Sequence, residues 1–310
     1  MIGRAGRHES QMNLNGIFPA LTTPFHSDGA VDLDALRANI LKYNSLALAG
    51  YLAVGSTAES VFLNRAEIAQ ILAAVREAAA PGKILIAGTG SESTTETISR
   101  TAEAASLGYN FALVMTPHFY QPMMNPESYV SHYQRVADAS PIPVLLYSVP
   151  QFTGVALKAD VVGRLSEHPN IVGMKDSSGN MHELELILAS VPDAFHLLTG
   201  AAYALYPSMA LGAKGGILAV ADFLPDLCLE LYSAVEANDA PKSRELQRRV
   251  TLAARSIATP FGISGVKHAM DCCGYRGGAV RSPLLPLLQE QERTVESALA
   301  NVSSTPNLAS

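Results

Sequence analysis

Short apolar runs alternate along the chain with longer stretches of helical periodicity. Eight of these runs have the length and composition of buried strands, at positions 17–22, 51–55, 84–88, 111–116, 144–147, 171–175, 196–200 and 216–220. Their starts are spaced by roughly 20 to 34 residues, which leaves room in each interval for one helix and two loops. This rhythm predicts an α/β fold, a (β/α)8 TIM barrel, with an open doubly wound sheet as the alternative.

Helical periodicity also predicts where the barrel ends. Helical segments are predicted at 35–48, at 66–79 with Asn64 as the cap, at 127–139, and after the eighth strand at 225–237, 241–257, 265–273 and 283–299. The predicted organisation is a disordered or extended tail at 1–14, a barrel at 15–238, an all-helical C-terminal domain at 239–300 and a tail at 301–310. The helical appendage is expected to cover the barrel or to pack between subunits.

Composition narrows the functional classes. The 310 residues are 48% hydrophobic and 16% charged without any apolar run of membrane-spanning length, so no membrane association is predicted. The net charge of −6 and the lack of a basic stripe give a nucleic-acid partner no electrostatic support. Cys228, Cys272 and Cys273 show no disulfide framework, and they predict core thiols in a reducing compartment, the cytoplasm.

The sixth apolar run ends on a lysine, Lys175, just before a Ser/Gly loop. A desolvated ammonium at the end of a buried strand must find a partner or lose its proton. A neutral amine attacks a ketone carbonyl and forms a Schiff base, which becomes an electron sink for making or breaking the neighbouring carbon–carbon bond. On strand position alone, a lysine whose stem packs and whose head reaches water is the commoner arrangement. Neighbouring residues must therefore decide between the two.

In a barrel of this kind the active site lies at the C-terminal ends of the strands. Tyr147 ends the fifth run and Lys175 the sixth, so the phenol and the amine are predicted to share one mouth. A phenol can both donate and accept the protons that a carbinolamine must exchange. The turn at 55–60 offers the hydroxyls of Ser56 and Thr57 and successive backbone N–H groups, a nest that suits a carboxylate.

Sequence motifs for other chemistries are missing. His182-Glu183 has no second histidine at helical spacing, the eight histidines are scattered, and Gly88-Thr89-Gly90-Ser91 lacks the dinucleotide fingerprint. Neither a G-x-S-x-G elbow nor a P-loop occurs. The sequence therefore predicts no metal and no cofactor, with the imine supplying the electrophilic activation.

Several stretches together resemble the dihydrodipicolinate synthase and N-acetylneuraminate lyase superfamily over about residues 15–288. They are Gly55-Ser56-Thr57-Ala58-Glu59-Ser60, Leu146-Tyr147-Ser148-Val149-Pro150 with Thr153-Gly154, and Gly173-Met174-Lys175-Asp176. Within the superfamily the closest resemblance is to 4-hydroxy-2-oxoglutarate aldolases. It rests additionally on Ser140-Pro141-Ile142-Pro143, on residues 168–172 and on Phe261-Gly262-Ile263.

The resemblance implies a (β/α)8 barrel with a C-terminal helical domain that acts on pyruvate or on 2-oxo acids that yield it. It also implies a homo-oligomer, either a tetramer or a dimer. The implied site residues are Lys175 for the Schiff base, Tyr147 for proton relay, Ser56 and Thr57 for the carboxylate of the 2-oxo acid, and Gly200 and Ile217 for the pocket backbone.

Three positions depart from the pattern of other superfamily members. Phe152 stands where dihydrodipicolinate synthases carry an arginine for the carboxylate of the aldehyde, and a phenyl ring forms no bidentate pair with a carboxylate. The residues Gly200-Ala201-Ala202-Tyr203 offer none of the acidic groups with which N-acetylneuraminate lyases bind sugar hydroxyls. Phe119 stands where the family places a tyrosine lent by a neighbouring subunit, so either His118, Tyr120 or water takes over the relay, or the relay is weaker.

The predicted function is a metal-independent class I aldolase that cleaves a 4-hydroxy-2-oxo acid into pyruvate and an aldehyde, or forms it from them. One alternative is a dihydrodipicolinate synthase, which Phe152 disfavours. A second is a 2-keto-3-deoxy sugar-acid aldolase, which the neutral Ser177 and Ser178 beside the lysine favour. A third is a non-catalytic barrel that binds 2-oxo acids, which Phe119 favours. The identity of the aldehyde half depends on loop shapes that the sequence alone does not determine.

Overall fold

Eight parallel strands form the centre of the fold, as the apolar runs predict. The structure, a computed structural model, describes residues 13–304. The strands are β1 (Gly16–Pro19), β2 (Gly50–Ala53), β3 (Ile84–Gly88), β4 (Phe111–Met115), β5 (Val144–Ser148), β6 (Ile171–Asp176), β7 (His196–Thr199) and β8 (Gly215–Leu218). Each lies within three residues of its predicted bounds, and most end slightly earlier or later than the apolar run does.

The strands close into a barrel. Each strand from β2 to β7 pairs in parallel with the next in the chain, and β1 pairs with β8. Between β1 and β2, the N–H of Ala49 donates to the carbonyl of Ile17 at 3.0 Å and the N–H of Leu21 donates to that of Leu52 at 3.0 Å. The predicted (β/α)8 barrel is confirmed, and the open doubly wound sheet is excluded.

Helices surround the barrel and extend beyond the eighth strand. They are α1 (Leu33–Tyr43), α2 (Arg65–Ala78), α3 (Thr94–Ser106), α4 (Pro126–Ala139), α5 (Pro150–Thr153), α6 (Ala159–Ser166), α7 (Met181–Ser190), α8 (Leu205–Leu211), α9 (Pro225–Glu236), α10 (Ala240–Ala253), α11 (Thr259–Cys272) and α12 (Gln289–Ser304). A π-helical turn, Ala254–Ala258, joins α10 to α11. Asn64 caps α2 as predicted, because its side chain accepts from the N–H of Glu67 at 3.0 Å.

The last helix differs from its prediction at both ends. A helix is predicted over 283–299, but α12 begins only at Gln289. Pro286 lacks the N–H that a helix interior needs and disfavours helical geometry in the residue before it. At the other end the helix continues through 301–304, although a tail is predicted from 301. Val302 is fully buried, so this turn is anchored by packing.

The N-terminal prediction lies largely outside the described residues, because the structure describes none of residues 1–12. Leu14, which falls in the predicted tail, is fully buried in the barrel interior with Phe18 and Ile217. The prediction of core thiols holds for the buried Cys228, but it is wrong for Cys272, which is exposed, and Cys273 is half-buried. Within residues 13–304, no helix has the length and apolarity needed to cross a membrane.

The C-terminal helices lie over the barrel mouth. Residues from the π-helical turn and from α11 line the cavity that opens there, among them Ala258, Thr259, Gly262 and Ile263. Gly262 breaks the helical geometry with φ 54° and ψ −141°, a conformation that residues with a Cβ rarely adopt. The kink and the π-helical turn together bend this segment across the strand ends. We call the stretch 254–266 the roof of the cavity.

Candidate active site

Lys175 and Tyr147 meet at the ends of two adjacent strands. They are direct register partners in the pairing of β5 with β6, so both side chains point to the same face of the sheet. The Nζ atom of Lys175 lies 4.4 Å from the centroid of the Tyr147 ring. Each residue is only 4% exposed. The two groups that the sequence places in one mouth therefore are in contact, at the bottom of a cavity and largely shielded from bulk water.

Gly200 leaves the space that the lysine occupies. A Cβ atom at this position would lie 2.8 Å from Cε of Lys175 and 1.9 Å from Oγ of Ser177. Both distances are too short for carbon contacts, so any side chain here would displace the lysine or the serine. The glycine at the end of β7 is thus a steric requirement of the site, consistent with its predicted place in the pocket wall.

Ser56 and Thr57 lie in a loop held by two unusual backbone conformations. Val54 and Glu59, on either side of this loop, have φ values of 57° and 56° in the left-handed region. A β-branched residue such as valine rarely adopts that conformation, and such strain clusters at functional sites. The loop brings Oγ of Ser56 to 3.3 Å from the phenol oxygen of Tyr147, and either oxygen can be the donor. Ser56, Tyr147 and Lys175 thus form a contiguous polar wall.

Glu59 fixes the far end of this loop through a buried ion pair. Its Oε1 atom lies 2.6 Å from Nζ of Lys267 on α11, and the two side chains are 1% and 2% exposed. Its Oε2 atom accepts from the backbone N–H of Arg281 at 2.8 Å. Burial lowers the pKa of Lys267, while the adjacent Glu59 carboxylate raises it in part. One desolvated charge pair therefore joins the loop that carries Ser56 and Thr57 to α11, and no local sequence pattern predicts it.

The two serines after Lys175 have different surroundings. The hydroxyl of Ser178 donates to Oδ2 of Asp176 at 2.7 Å, so much of its hydrogen-bonding capacity is used within the loop. The carbonyl of Ser177 accepts from Nε2 of Gln151 at 2.7 Å, which leaves the Ser177 hydroxyl next to Gly200. Burial raises the pKa of Asp176, and the bonds from Ser178 oppose that rise. The loop is neutral and hydroxyl-bearing where it meets the cavity.

One cavity of about 610 Å³ brings most of the predicted site residues together. Its lining includes Ser56, Thr57, Tyr147, Phe152, Lys175, Ser177, Ser178, Gly200 and Ile217. Gln151, Tyr203 and the roof also contribute, and the sequence analysis does not single them out as site residues. A signal for the roof is present in the sequence, since Phe261-Gly262-Ile263 is one of the stretches that carry the resemblance. Lys175 is the one basic side chain among the described residues that line this cavity.

The three candidate relay residues do not reach the lysine within this chain. Phe119 and Tyr120 are 74% and 67% exposed and stack edge to face, with ring centroids 5.0 Å apart. His118 lines an adjoining cavity of about 350 Å³ that shares Ser56 and Tyr147 with the main one, but its Nδ1 atom pairs with Glu92 at 2.9 Å. None of the three lines the cavity that contains Lys175.

A third buried carboxyl group, after Glu59 and Asp176, lies just beyond β8. Asp222, which follows β8, is fully buried, and neither of its side-chain oxygens has a hydrogen-bond partner among the described residues. Burial raises the pKa of Asp222 well above its usual range, and the charge of Lys175 opposes that rise. The buried Asp222 carboxyl group therefore binds its proton more tightly than an exposed aspartate does.

Because the folded state binds the Asp222 proton more tightly than the unfolded state, this group should destabilise the protein as the pH rises. This destabilisation is absent below the pH range in which an aspartate in the unfolded chain titrates. It grows with pH until the pH passes the raised pKa of Asp222 in the folded state. We expect Asp222→Asn to remove it, so the free energy of unfolding should fall less between pH 5 and pH 8 than in the wild type. Urea titrations at several pH values measure this. Asp226→Asn, at an exposed carboxylate, should keep the wild-type slope.

Comparison with known sequences decides the family. The sequence profile of the dihydrodipicolinate synthetase family matches residues 13–302. The chain belongs to this family. A 4-hydroxy-tetrahydrodipicolinate synthase from Methanothrix thermoacetophila is 35% identical over 289 residues, which cover 93% of this chain and 97% of that protein. The predicted superfamily is confirmed, whereas the closer resemblance to 4-hydroxy-2-oxoglutarate aldolases is not.

Solved structures of family members share the fold over nearly their full length. The dihydrodipicolinate synthase from Acinetobacter baumannii, complexed with pyruvate, has a TM-score of 0.87 and 29% identity, with 94% of this chain and 99% of that chain covered. A prophage protein of the family from E. coli K12, also in complex with pyruvate, has a TM-score of 0.88 and 25% identity, with 94% and 99% covered. The predicted enzyme class, a pyruvate-dependent carbon–carbon lyase of the class I aldolase type, is confirmed.

Proposed function

We propose that the amine of Lys175 forms a Schiff base with the keto carbon of pyruvate. The observation that carries the proposal is the buried contact between Lys175 and Tyr147, with the hydroxyl of Ser56 on the phenol. Attack of the amine on C2 gives a carbinolamine, which loses its oxygen as water. Loss of a proton from C3 then gives an enamine, whose C3 attacks the carbonyl carbon of an aldehyde. Hydrolysis of the new imine releases the product and the free lysine.

The polar wall of Ser56, Tyr147 and Lys175 provides the groups that these reaction steps need. The phenol of Tyr147 lies where it can protonate the leaving carbinolamine oxygen and later accept a proton from a substrate hydroxyl. The hydroxyl of Ser56, which contacts the phenol, can pass the proton one step further. Ser56 and Thr57, with the N–H groups of their loop, are proposed to hold the pyruvate carboxylate, and Gly200 and Ile217 to shape the pocket around its methyl carbon.

Reductive trapping tests the proposal directly. Borohydride added to the protein with pyruvate should reduce the imine and leave one reduced pyruvyl group, which peptide mass spectrometry should assign to Lys175. The same treatment without pyruvate serves as the blank. An adduct on another lysine, or no adduct at saturating pyruvate, would refute the Schiff-base assignment.

We expect Tyr147→Phe to lower kcat by roughly 10²- to 10⁴-fold, because the ring and its packing remain while the proton-transferring oxygen is lost. Trapping of pyruvate should still occur, but more slowly. Steady-state kinetics and the time course of trapping measure the two effects. Tyr133→Phe is the matched control, since that phenol is buried and donates to the carbonyl of Val114 outside the cavity. Equal losses in both variants would contradict the relay role.

The names of the relatives favour aspartate semialdehyde as the second substrate. Seven curated relatives at 30–35% identity are all named 4-hydroxy-tetrahydrodipicolinate synthase. These names support the synthase reaction over cleavage of 4-hydroxy-2-oxoglutarate. The sequence alone makes the synthase reaction an alternative to that cleavage. The leading proposal for the full reaction is therefore condensation of pyruvate with aspartate semialdehyde.

A neutral hydroxyaldehyde is the second candidate, and the lining of the cavity favours it. Aspartate semialdehyde and glyoxylate, the aldehyde released from 4-hydroxy-2-oxoglutarate, both carry a carboxylate. Besides Lys175, the described residues that line the Lys175 cavity include no cation to receive one, and Phe152 stands 67% exposed at the position where an arginine would pair with it. Arg100 lines the adjoining cavity, but its Nε atom pairs with Glu96 at 2.8 Å. The hydroxyls of Ser177 and Tyr203 suit a polyol better.

An aldehyde panel separates these reactions. With pyruvate in excess, kcat/KM is compared for aspartate semialdehyde, glyoxylate and glyceraldehyde. A clear preference for aspartate semialdehyde supports the synthase, whereas preference for glyceraldehyde supports a sugar-acid aldolase. The trapping experiment above does not depend on this outcome.

We further propose that the protein is a homo-oligomer, as the resemblance implies. Phe119, Tyr120 and Met123 are 67–74% exposed and adjoin one another beside the barrel mouth, where a second copy could bury them. Sedimentation equilibrium measures the assembly state, and a monomer at all concentrations would contradict the proposal.

A further inference from the structure

We propose that His268, Cys272 and Glu296 form a binding site for a divalent metal ion of the zinc type, on the outer side of the C-terminal helices. None of the three residues lines the cavity that contains Lys175. The site is therefore separate from the proposed aldolase chemistry and independent of it.

Helical spacing places the first two ligands together. His268 and Cys272 are four residues apart on α11, so their side chains lie on the same face of that helix. Glu296 faces them from α12, which packs against α11. The candidate ligand atoms, one from each residue, all lie within 4.8 Å of one another. In a tetrahedral zinc site the ligand atoms lie about 3.3–3.8 Å from one another. Small rotations of these three side chains would bring their ligand atoms to such distances.

The imidazole of His268 supplies a second, independent observation. The side chain is 22% exposed, but its Nε2 atom is shielded from solvent, and the one contact of that atom to a described polar group is a long one, 3.5 Å to Oε1 of Glu296. A shielded polar atom with a single long contact is poorly satisfied, and native proteins rarely leave one so. A metal ion between the imidazole and the carboxylate would satisfy this nitrogen.

The donor atoms indicate which metals would bind. One imidazole nitrogen, one thiolate sulfur and one carboxylate oxygen suit zinc and similar borderline ions, whereas Mg²⁺ and Ca²⁺ prefer oxygen ligands alone. Binding would release the thiol proton of Cys272 to solvent, and a water molecule would complete four-coordination. The ion would then hold α12 against α11, the helix that carries Lys267 and part of the roof. A count of cysteine spacings misses this site, because two of its ligands are not cysteines.

Metal titration of the full chain, stripped with a chelator, tests the proposal. We expect one Zn²⁺ bound per chain and a higher thermal unfolding midpoint in its presence. Cys272→Ser should weaken zinc binding by about 100-fold or more, because it removes the thiolate ligand. Cys273→Ser is the matched control: its side chain packs on the other side, against the cluster that contains Tyr43, and it should bind zinc like the wild type.

Cobalt substitution identifies the ligand itself. The Co²⁺ form should show thiolate-to-metal charge-transfer absorption that is present in the wild type and in Cys273→Ser but absent in Cys272→Ser. Glu296→Gln, at a mostly exposed position, should keep that absorption and bind the ion more weakly. The proposal is overturned if no zinc binds at one per chain, or if Cys272→Ser binds zinc and cobalt as the wild type does.

Discussion

Lys175→Arg should lose the pyruvate adduct completely and reduce turnover by roughly 10³-fold or more, because no other group in the described cavity can replace the amine as nucleophile. Arginine keeps the positive charge and much of the length of the side chain. Its guanidinium stays protonated, however, and so cannot attack a carbonyl. The substitution therefore separates covalent chemistry from simple charge attraction, which arginine would preserve.

The measurement compares borohydride trapping and kcat/KM with pyruvate for the wild type and three variants, which are Lys175→Arg, Lys175→Met and Lys158→Arg. Lys175→Met reports on loss of the amine without the bulk of a guanidinium beside Gly200. Lys158→Arg is the matched control, because Lys158 is 61% exposed and pairs with Glu183 at 3.0 Å, away from the Lys175 cavity. Circular dichroism checks that each variant is folded. Wild-type turnover in a folded Lys175→Arg protein would contradict the proposed mechanism.

Breaking the buried pair between Glu59 and Lys267 should cost the fold about 3–5 kcal/mol, because the remaining charge is left without its partner in a desolvated site. Lys267→Met removes the ammonium while keeping a chain of similar length, and Glu59→Gln removes the carboxylate charge. The double variant should recover a large part of the loss, since replacing both members of a buried pair is often nearly neutral. Urea unfolding monitored by circular dichroism measures all three.

The loop that carries Ser56 and Thr57 ends at Glu59, so Glu59→Gln should also raise KM for pyruvate more than it lowers kcat. Glu127→Gln provides the comparison for stability, because its pair with Arg164 is solvent-exposed and its loss should leave the unfolding midpoint almost unchanged. A Lys267→Met protein as stable as the wild type would show that the pair contributes little. If the double variant were no more stable than either single variant, the two charges would not stabilise the fold by pairing with each other.

The elements that the sequence predicts well are those governed by local patterns. Each strand is a short apolar run, and alternation of these runs with helices leaves few topologies for a chain of this length. The contact between Lys175 and Tyr147 follows from the same reasoning, since adjacent parallel strands end at the same edge of the sheet. The family resemblance predicts Gly200 and Ile217 in the pocket wall, and the structure adds the steric reason for the glycine.

Features that depend on distant contacts escape sequence-based prediction. Glu59 stands in the stretch 55–60 that contributes to the family resemblance, but its partner Lys267 lies more than 200 residues further along the chain. The exposure of Cys272 depends on how α12 packs on α11, and apolar composition alone gives no indication of it. Pro286 indicates that α12 begins after it, but the apolar residues on either side of this proline continue the helical pattern and hide the boundary.

The roof of the cavity is encoded after all eight strands, and this order matters during synthesis. A chain that has just completed β8 on the ribosome already contains Lys175 and Tyr147, yet residues 254–266 have still to emerge and cover them. Until those residues have folded, the strand ends that carry Lys175 and Tyr147 lack the helical segment that lines one side of their cavity. The cavity around Lys175 is therefore complete only once residue 266 of the 310 has been added.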